Sequence, residues 1–213
     1  MNTVAVHHPI FARLYPAMSA AMDRGGIAEH RHALLEDASG VVVEVGAGDG
    51  RNFAHYPAGV SRVLAVEPEP HLRRLASSAA ARAPVRVEVA DGLAEHLPAG
   101  DGSADTVVVS LVLCSVRDQA KALGEIRRVL TSSGQLRFLE HVRADTQGMA
   151  RLQRVLDATI WPRLAGGCRT GRDTIAAIEG AGFSVDKLER FRFPDARIPT
   201  SFHIVGTATP TQA

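Results

Sequence analysis

Residues 41–50 read VVVEVGAGDG, and the reading of this stretch decides the fold. Val41–Val45 is a short β-branched run of the kind that fills a strand buried on both faces. It leads directly into glycine at positions 46, 48 and 50. Glycine there lets the chain turn tightly out of the strand and leaves bare backbone for a ligand to touch. A dinucleotide-binding loop would place its third glycine at position 51, which is Arg51. Glu44 and Asp49 also set negative charge at the loop, unfavourable beside a pyrophosphate and favourable beside a cation. Taken alone, the same pattern also describes an ordinary strand-to-helix turn.

Outward from this strand the chain alternates between short apolar runs and amphipathic stretches. Helices are predicted over 27–38 and 70–81, and strands over 62–66 and 85–89. Residues 105–113 (DTVVVSLVL) form the most apolar strand, 118–130 an amphipathic helix, and 135–142 a further strand after the turn TSSG. Repeated strand, helix, strand units imply a doubly wound α/β fold, a mostly parallel sheet with helices on both faces. In the tail, 147–164 and 171–181 read as helices around the glycine-rich AGGC, and strands near 183–192 and 202–209 suit antiparallel pairing. Within the first of these helices Leu152, Val155, Leu156, Ile160 and Leu164 recur at helical spacing and are expected to dock, leaving a basic face in solvent, with a membrane-surface helix as the alternative reading. A single domain is expected over 1–213: a helical lid over 1–37, a cofactor-binding core over 38–145, and 146–213 completing the sheet and the acceptor site.

Composition agrees with one globular unit. A chain of 213 residues, 46% hydrophobic and 22% charged, is long enough to bury a sizeable core. Its 24 basic and 23 acidic residues leave a net charge of +1, which disfavours a nucleic-acid partner held by charge. Cys114 and Cys168 stand far apart and in no CxxC pair, so their spacing signals neither a zinc site nor a disulfide framework; they meet only if the fold juxtaposes them. The adjacent His7 and His8 read as a solvated terminal turn, and no metal is expected. No run approaches about 18 apolar residues, so no integral membrane segment is expected. The stretch MNTVAVHHPIFARLY has no secretion-signal pattern, and a cytoplasmic location is the expectation.

Open parallel sheets take ligands beyond the carboxyl ends of their strands, where strand order switches, so the loops at those ends carry the functional reading. Glu67, followed by Pro68 in AVEPEP, stands where a ribose would lie, and a carboxylate accepts from both ribose hydroxyls. Asp91 and Gly92, in VADGLAEHLP, stand where an adenine edge would reach. There a carboxylate takes the exocyclic amine proton and a backbone amide meets a ring nitrogen, although both residues are also common in turns. Three such loops in register point to an adenosyl compound that is cationic where dinucleotides are anionic.

Through EVGAGDG, AVEPEP, ADGLAEHLP, DGSADTVVVSLVLCSV and EIRRVLTSSG, residues 38–145 resemble the class I S-adenosylmethionine-dependent methyltransferases. Within that family, LVLCSV, LEHV and GGC followed by a threonine look most like the alkyl-thiol S-methyltransferases, with the quinone-biosynthesis C-methyltransferases next. The resemblance implies a Rossmann-like, mostly parallel seven-stranded sheet whose last strand pair is antiparallel. It implies S-adenosylmethionine as cofactor, with Gly46 and Gly48 along the methionine part, Glu67 on the ribose, Asp91 on the adenine and Leu111 near the sulfonium. Glu44, Ala47, Asn52, Pro68 and Gly92 complete the expected cofactor set.

A sulfonium methyl is already activated, so transfer needs mainly a desolvated pocket and a nucleophile held in line with it. A small, apolar thiol is the favoured acceptor, since a thiol with a pKa of about 8.5 is partly thiolate near neutral pH. A phenolic oxygen or a carbon of a quinone-like or polyketide-like compound is the alternative, and needs more help from a base. His141, beside Glu140 in FLEHV, is the candidate base; a histidine that only hydrogen-bonds at a strand end is the other reading. Tyr15, from the stripe Phe11, Leu14, Tyr15, Met18 that Pro16 should interrupt, is expected to line the acceptor pocket with Cys114 and Trp161. Packing against the sheet explains Tyr15 equally well and is the other reading of Trp161, and a core thiol is the stronger reading of Cys114. Two further readings compete: a nicotinamide-dependent oxidoreductase, and a non-catalytic protein that binds an adenosyl compound.

Overall fold

The computed structural model describes residues 8–211; His7 lies outside them. The β-branched run forms β1 (Gly40–Val45), which pairs in parallel with β2 (Val60–Val66) on one side and with β4 (Ala104–Ser110) on the other. Beyond them lie β3 (Val87–Ala90), parallel to β2, and β5 (Leu130–His141), parallel to β4. Two antiparallel additions, β6 (Phe183–Arg192) and β7 (Phe202–Pro210), complete a seven-stranded sheet of order β3-β2-β1-β4-β5-β7-β6. Strand order reverses between β1 and β4, which makes their carboxyl ends the switch point of the sheet.

Helices cover both faces. Because β1 side chains alternate, Val42 packs in one core with Leu34 and Leu35 of α2 (Ala28–Leu35) and Ala76 of α3 (Pro70–Ala80). Val43 and Val45 face the other way, into a core with Leu123 and Ile126 of α4 (Gln119–Val129) and Ile178 of α7 (Thr174–Gly180). Glu69 and Asp118 cap α3 and α4 by accepting backbone amides of the first turn, and Asp173 does the same for α7. Remaining elements sit at the carboxyl edge: α1 (Pro9–Met22), α5 (Gln147–Asp157) and the single turn α6 (Trp161–Leu164).

Several sequence expectations are corrected here, each for a local reason. Pro16 does not interrupt α1; its carbonyl is taken by Arg51, and the bend comes later, at Gly26 with φ 121°, in the turn leading into α2. The predicted helix over 147–164 breaks after Asp157, whose carboxylate leaves the helix axis to accept the amides of Thr170 and Gly171. Pro162 opens α6, since it has no amide to continue a preceding helix. The apolar stripe does not dock: Leu152 and Val155 of α5, and Ile160 and Leu164 beyond its end, are exposed, and the buried face of α5 is Ala150 and Gln153. The strand over 105–113 stops at Ser110 because Leu111 adopts a left-handed φ of 60°.

Candidate active site

The glycine loop after β1 is held by hydrogen bonds that leave its outer face open. Gly46 and Ala47 donate to Val66 O on β2, and Gly48 donates to Glu67 Oε2 at 2.8 Å. Gly46 and Gly48 have φ of 67° and 58°, and a Cβ would come within 2.5 Å of Val112 at the first and 3.0 Å of the Tyr15 ring at the second. Bare backbone is therefore imposed both by conformation and by what packs on it.

Beneath the loop lies a buried polar network. Glu44 accepts from Asn52 Nδ2 at 3.0 Å and from the Tyr56 hydroxyl at 2.7 Å, while Arg31 donates to Asn52 Oδ1 and Ser110 Oγ, each at 3.0 Å. Burial pushes the Glu44 carboxyl up to about 7, against the hydrogen bonds from Tyr56 and Asn52 that favour its anion. Asp49 accepts from Ser19 Oγ and from Arg51 Nε, tying α1 to the loop. Glu44 and Asp49 thus face inward partners, and Glu67 is the acid of this set that lines the cavity.

That cavity, of about 670 Å³, opens along the carboxyl ends of β1, β2 and β4, a size and position suited to a small-molecule site. Gly46, Gly48, Glu67, Pro68, Gly92 and Leu111 line it, as does Tyr15 from α1. Glu67 is 6% exposed, its oxygens shared between the amides of Gly48 and Glu69. Burial raises it to about 7. Asp91 is placed differently: its side chain is 71% exposed, paired with Arg73 at 3.0 Å, and Gly92 with Leu93 and Ala94 forms the wall instead. Glu44, Ala47 and Asn52 support the loop from behind without lining the cavity.

At the far end the wall is made by Val112, Ser115, Gly166, Gly167, Arg169 and Arg172. The sequence points to Pro162 and Arg169 as covering the acceptor side, GGC contains Gly166 and Gly167, and LVLCSV marks the segment that contains Val112 and Ser115; Arg172 carries no such sign. Cys114 and Trp161, expected on the wall, lie behind it. Glu140 is what shapes this corner. Fully buried, it accepts the amides of Val112 and Leu113 at 2.9 Å and of Cys114 at 3.1 Å, and so holds the turn that Leu111 starts. Burial raises it to about 7, with those amides opposing.

His141 is behind the wall as well. Its Nε2 is 3.0 Å from Thr200 O, and its Nδ1 is 3.5 Å from Cys168 Sγ and 4.0 Å from Cys114 Sγ. The two sulfurs are 3.8 Å apart, so the fold does juxtapose the cysteines that the sequence separates. Burial would lower His141, but Cys168, Glu140 and Thr200 outweigh it and the imidazole pKa is raised.

A methyltransferase-domain family model matches residues 43–138, from within β1 to Phe138 of β5. A human thiol S-methyltransferase is 40% identical over 181 residues, covering 82% of this chain and 73% of the relative. The chain belongs to the S-adenosylmethionine-dependent methyltransferases. A second human thiol S-methyltransferase is 40% identical over 172 residues, covering 78% of this chain and 69% of the relative. Among solved structures, a Thermotoga maritima S-adenosylmethionine-dependent methyltransferase superposes with a TM-score of 0.68 at 22% identity, over 95% of this chain and 98% of that one. The Burkholderia thailandensis 1,6-didemethyltoxoflavin-N1-methyltransferase, solved with S-adenosylhomocysteine, gives 0.69 at 18% identity, over 98% and 88%. The residues present fit this cofactor: bare loop backbone, a buried acid at the end of β2, and apolar walls at Leu93, Leu111 and Val112. This methyltransferase uses S-adenosylmethionine. Among the described residues no helix is long and apolar enough to cross a membrane.

Proposed function

We propose that this methyltransferase methylates a small thiol, and that Glu67 holds the ribose of its cofactor while the tail-side wall receives the acceptor. The observation that carries the reading is the charge of that wall. Arg163, Arg169 and Arg172 line it together with the apolar Phe11 and Pro162. Guanidinium groups beside the acceptor, outnumbering the acids Glu95 and Asp118 that also line the cavity, favour the thiolate over the thiol and so help to supply the nucleophile. The 40% identity to thiol S-methyltransferases supports the same acceptor.

When bound, the cofactor supplies a methyl on a sulfonium, and the remaining work falls to the chain. Gly46 and Gly48 let backbone approach the methionine part, Glu67 accepts from the ribose hydroxyls, and Gly92 with Leu93 and Ala94 frames the adenine. Leu111 and Val112, set by Glu140, position the reacting end, and Tyr15 excludes water from above.

Titration calorimetry with S-adenosylmethionine and S-adenosylhomocysteine tests the cofactor assignment. Glu67→Ala should weaken both by about 1–3 kcal/mol, the loss expected for charged hydrogen bonds. Turnover with a panel of small thiols, phenols and amines tests the acceptor. Methylation of amines or phenols in preference to thiols would overturn the thiol reading.

A further inference from the structure

We propose that Cys114, His141 and Cys168 form a three-ligand site for one thiophilic divalent cation of the Zn²⁺ type, with its fourth position open to the acceptor thiol. Three side chains from the turn after β4, the end of β5 and the loop after α6 bring Sγ, Nδ1 and Sγ together, all within 4.8 Å of one another. A tetrahedral ion with Zn–S of about 2.3 Å and Zn–N of about 2.0 Å sets its sulfurs about 3.8 Å apart and each sulfur about 3.5 Å from the nitrogen. The edges found are 3.8 Å between the sulfurs, 3.5 Å from Nδ1 to Cys168 and 4.0 Å from Nδ1 to Cys114. Only the last is long, by about 0.5 Å.

The surroundings select the same chemistry independently. His141 Nε2 faces a carbonyl, Thr200 O, which can only accept, so Nε2 carries the proton and Nδ1 presents its lone pair to the two sulfurs. Metal-bound histidines are oriented by such a bond from the other ring nitrogen. Arg169 N donates to Cys114 O at 2.8 Å, which locks the two cysteine segments side by side. Among the described residues no other His, Cys, Asp or Glu joins the group. Three protein ligands and one open position is the arrangement of sites that bind a substrate, whereas purely structural sites supply four.

The three ligands lie directly behind the cavity wall, and the fourth position is assigned to the side of that wall. Ser115, whose Oγ is 3.5 Å from Cys114 Sγ, lines the cavity wall, and so do Gly167 and Arg169 on either side of Cys168. A thiol arriving there releases its proton to solvent on binding the cation. Its sulfur then forms the bond to the methyl carbon as the bond from that carbon to the cofactor sulfonium breaks, leaving a thioether and S-adenosylhomocysteine. This part rests on the thiol reading given above.

The test uses the full chain, purified with reductant, stripped with a chelator and titrated with Co²⁺ as a spectroscopic stand-in. About one Co²⁺ should bind per chain, with sulfur-to-cobalt charge-transfer and intense tetrahedral ligand-field absorption. Cys114→Ser and Cys168→Ser should each abolish the charge-transfer band from the missing sulfur and weaken binding at least about tenfold, while calorimetric S-adenosylmethionine binding persists and reports a folded chain. Mercaptoethanol added to the cobalt-loaded protein should shift the spectrum. A featureless wild-type titration, an unchanged spectrum in the serine variants, or a metal-free Cys114–Cys168 disulfide as the resting form overturns the site. Indifference to mercaptoethanol overturns the open position. Full thiol turnover by stripped protein sinks this inference and leaves the methyltransfer assignment standing; loss of cofactor binding with an intact cobalt site does the reverse.

Discussion

The two ends of the cavity are built by different means. The cofactor end is a run of backbone loops at strand ends, each fixed within a few residues by hydrogen bonds to the neighbouring strand, as Gly46 and Ala47 are to Val66. The acceptor end is assembled by buried side chains that reach between segments far apart in the sequence. Gln153, fully buried, accepts Ala144 N at 2.8 Å and turns its amide group to the carbonyls of Val142, Thr170 and Pro199. Arg172 ties the same region to Leu113 and Val116. One end is specified by local chain geometry and the other by a handful of long-range contacts, so substitutions should separate them.

The sharpest break is at the residue that serves both ends. Glu140 faces three amides, so Glu140→Gln turns a donor toward donors and leaves at least one of them unpaired. Denaturant unfolding should show a loss of about 3 kcal/mol or more, and the variant should lose both cofactor affinity and turnover. Gln153→Leu comes next. It keeps volume but strands an amide and carbonyls in the interior, for an expected loss of about 2–3 kcal/mol. Calorimetry should find S-adenosylmethionine affinity within about threefold of wild type, because the affected contacts lie at the other end. A parallel collapse of cofactor binding would show that the two ends are one cooperative unit.

The same contrast explains what the sequence reveals. The valine run, the glycines at 46, 48 and 50 and the acid at 67 announce themselves because strand period and loop chemistry act over a few residues. Asp91 shows the limit of that logic: the strand end is where expected, but the side chain turns to Arg73 and the wall falls to its neighbours. The acceptor end offers no such signal. Cys114, His141 and Cys168 are separated by 27 positions at each step, a spacing that belongs to no motif, and only the crossing of β4, β5 and the tail loop joins them. Asp157 likewise looks like a helix surface acid, yet its bonds to Thr170 and Gly171 break the helix.

The smallest effect, and the one that probes the cofactor end by itself, is in pH. Glu44 and Glu67 have their carboxyls raised from 4.5 to about 7, in each case chiefly by burial. Between those values the unfolded chain releases the protons and the folded chain keeps them, so these groups favour folding at about pH 4.5 and lose that contribution as pH rises through about 7. Glu44→Gln should flatten this fall in unfolding free energy between pH 5 and pH 7.5, relative to wild type, by the share that Glu44 carries. Cofactor binding should run the opposite way. In the proposed role Glu67 would have to be ionised to accept both ribose hydroxyls, and a cationic ligand favours the anion further, so S-adenosylmethionine affinity should rise by up to about tenfold per pH unit below about 7 and level off above it. Calorimetry across that range, with Glu67→Gln as the pH-insensitive control, reads the effect directly. If affinity and stability instead moved in the same direction, Glu67 would be a brace for Gly48 alone, and the ribose would be held by other groups of the cavity wall.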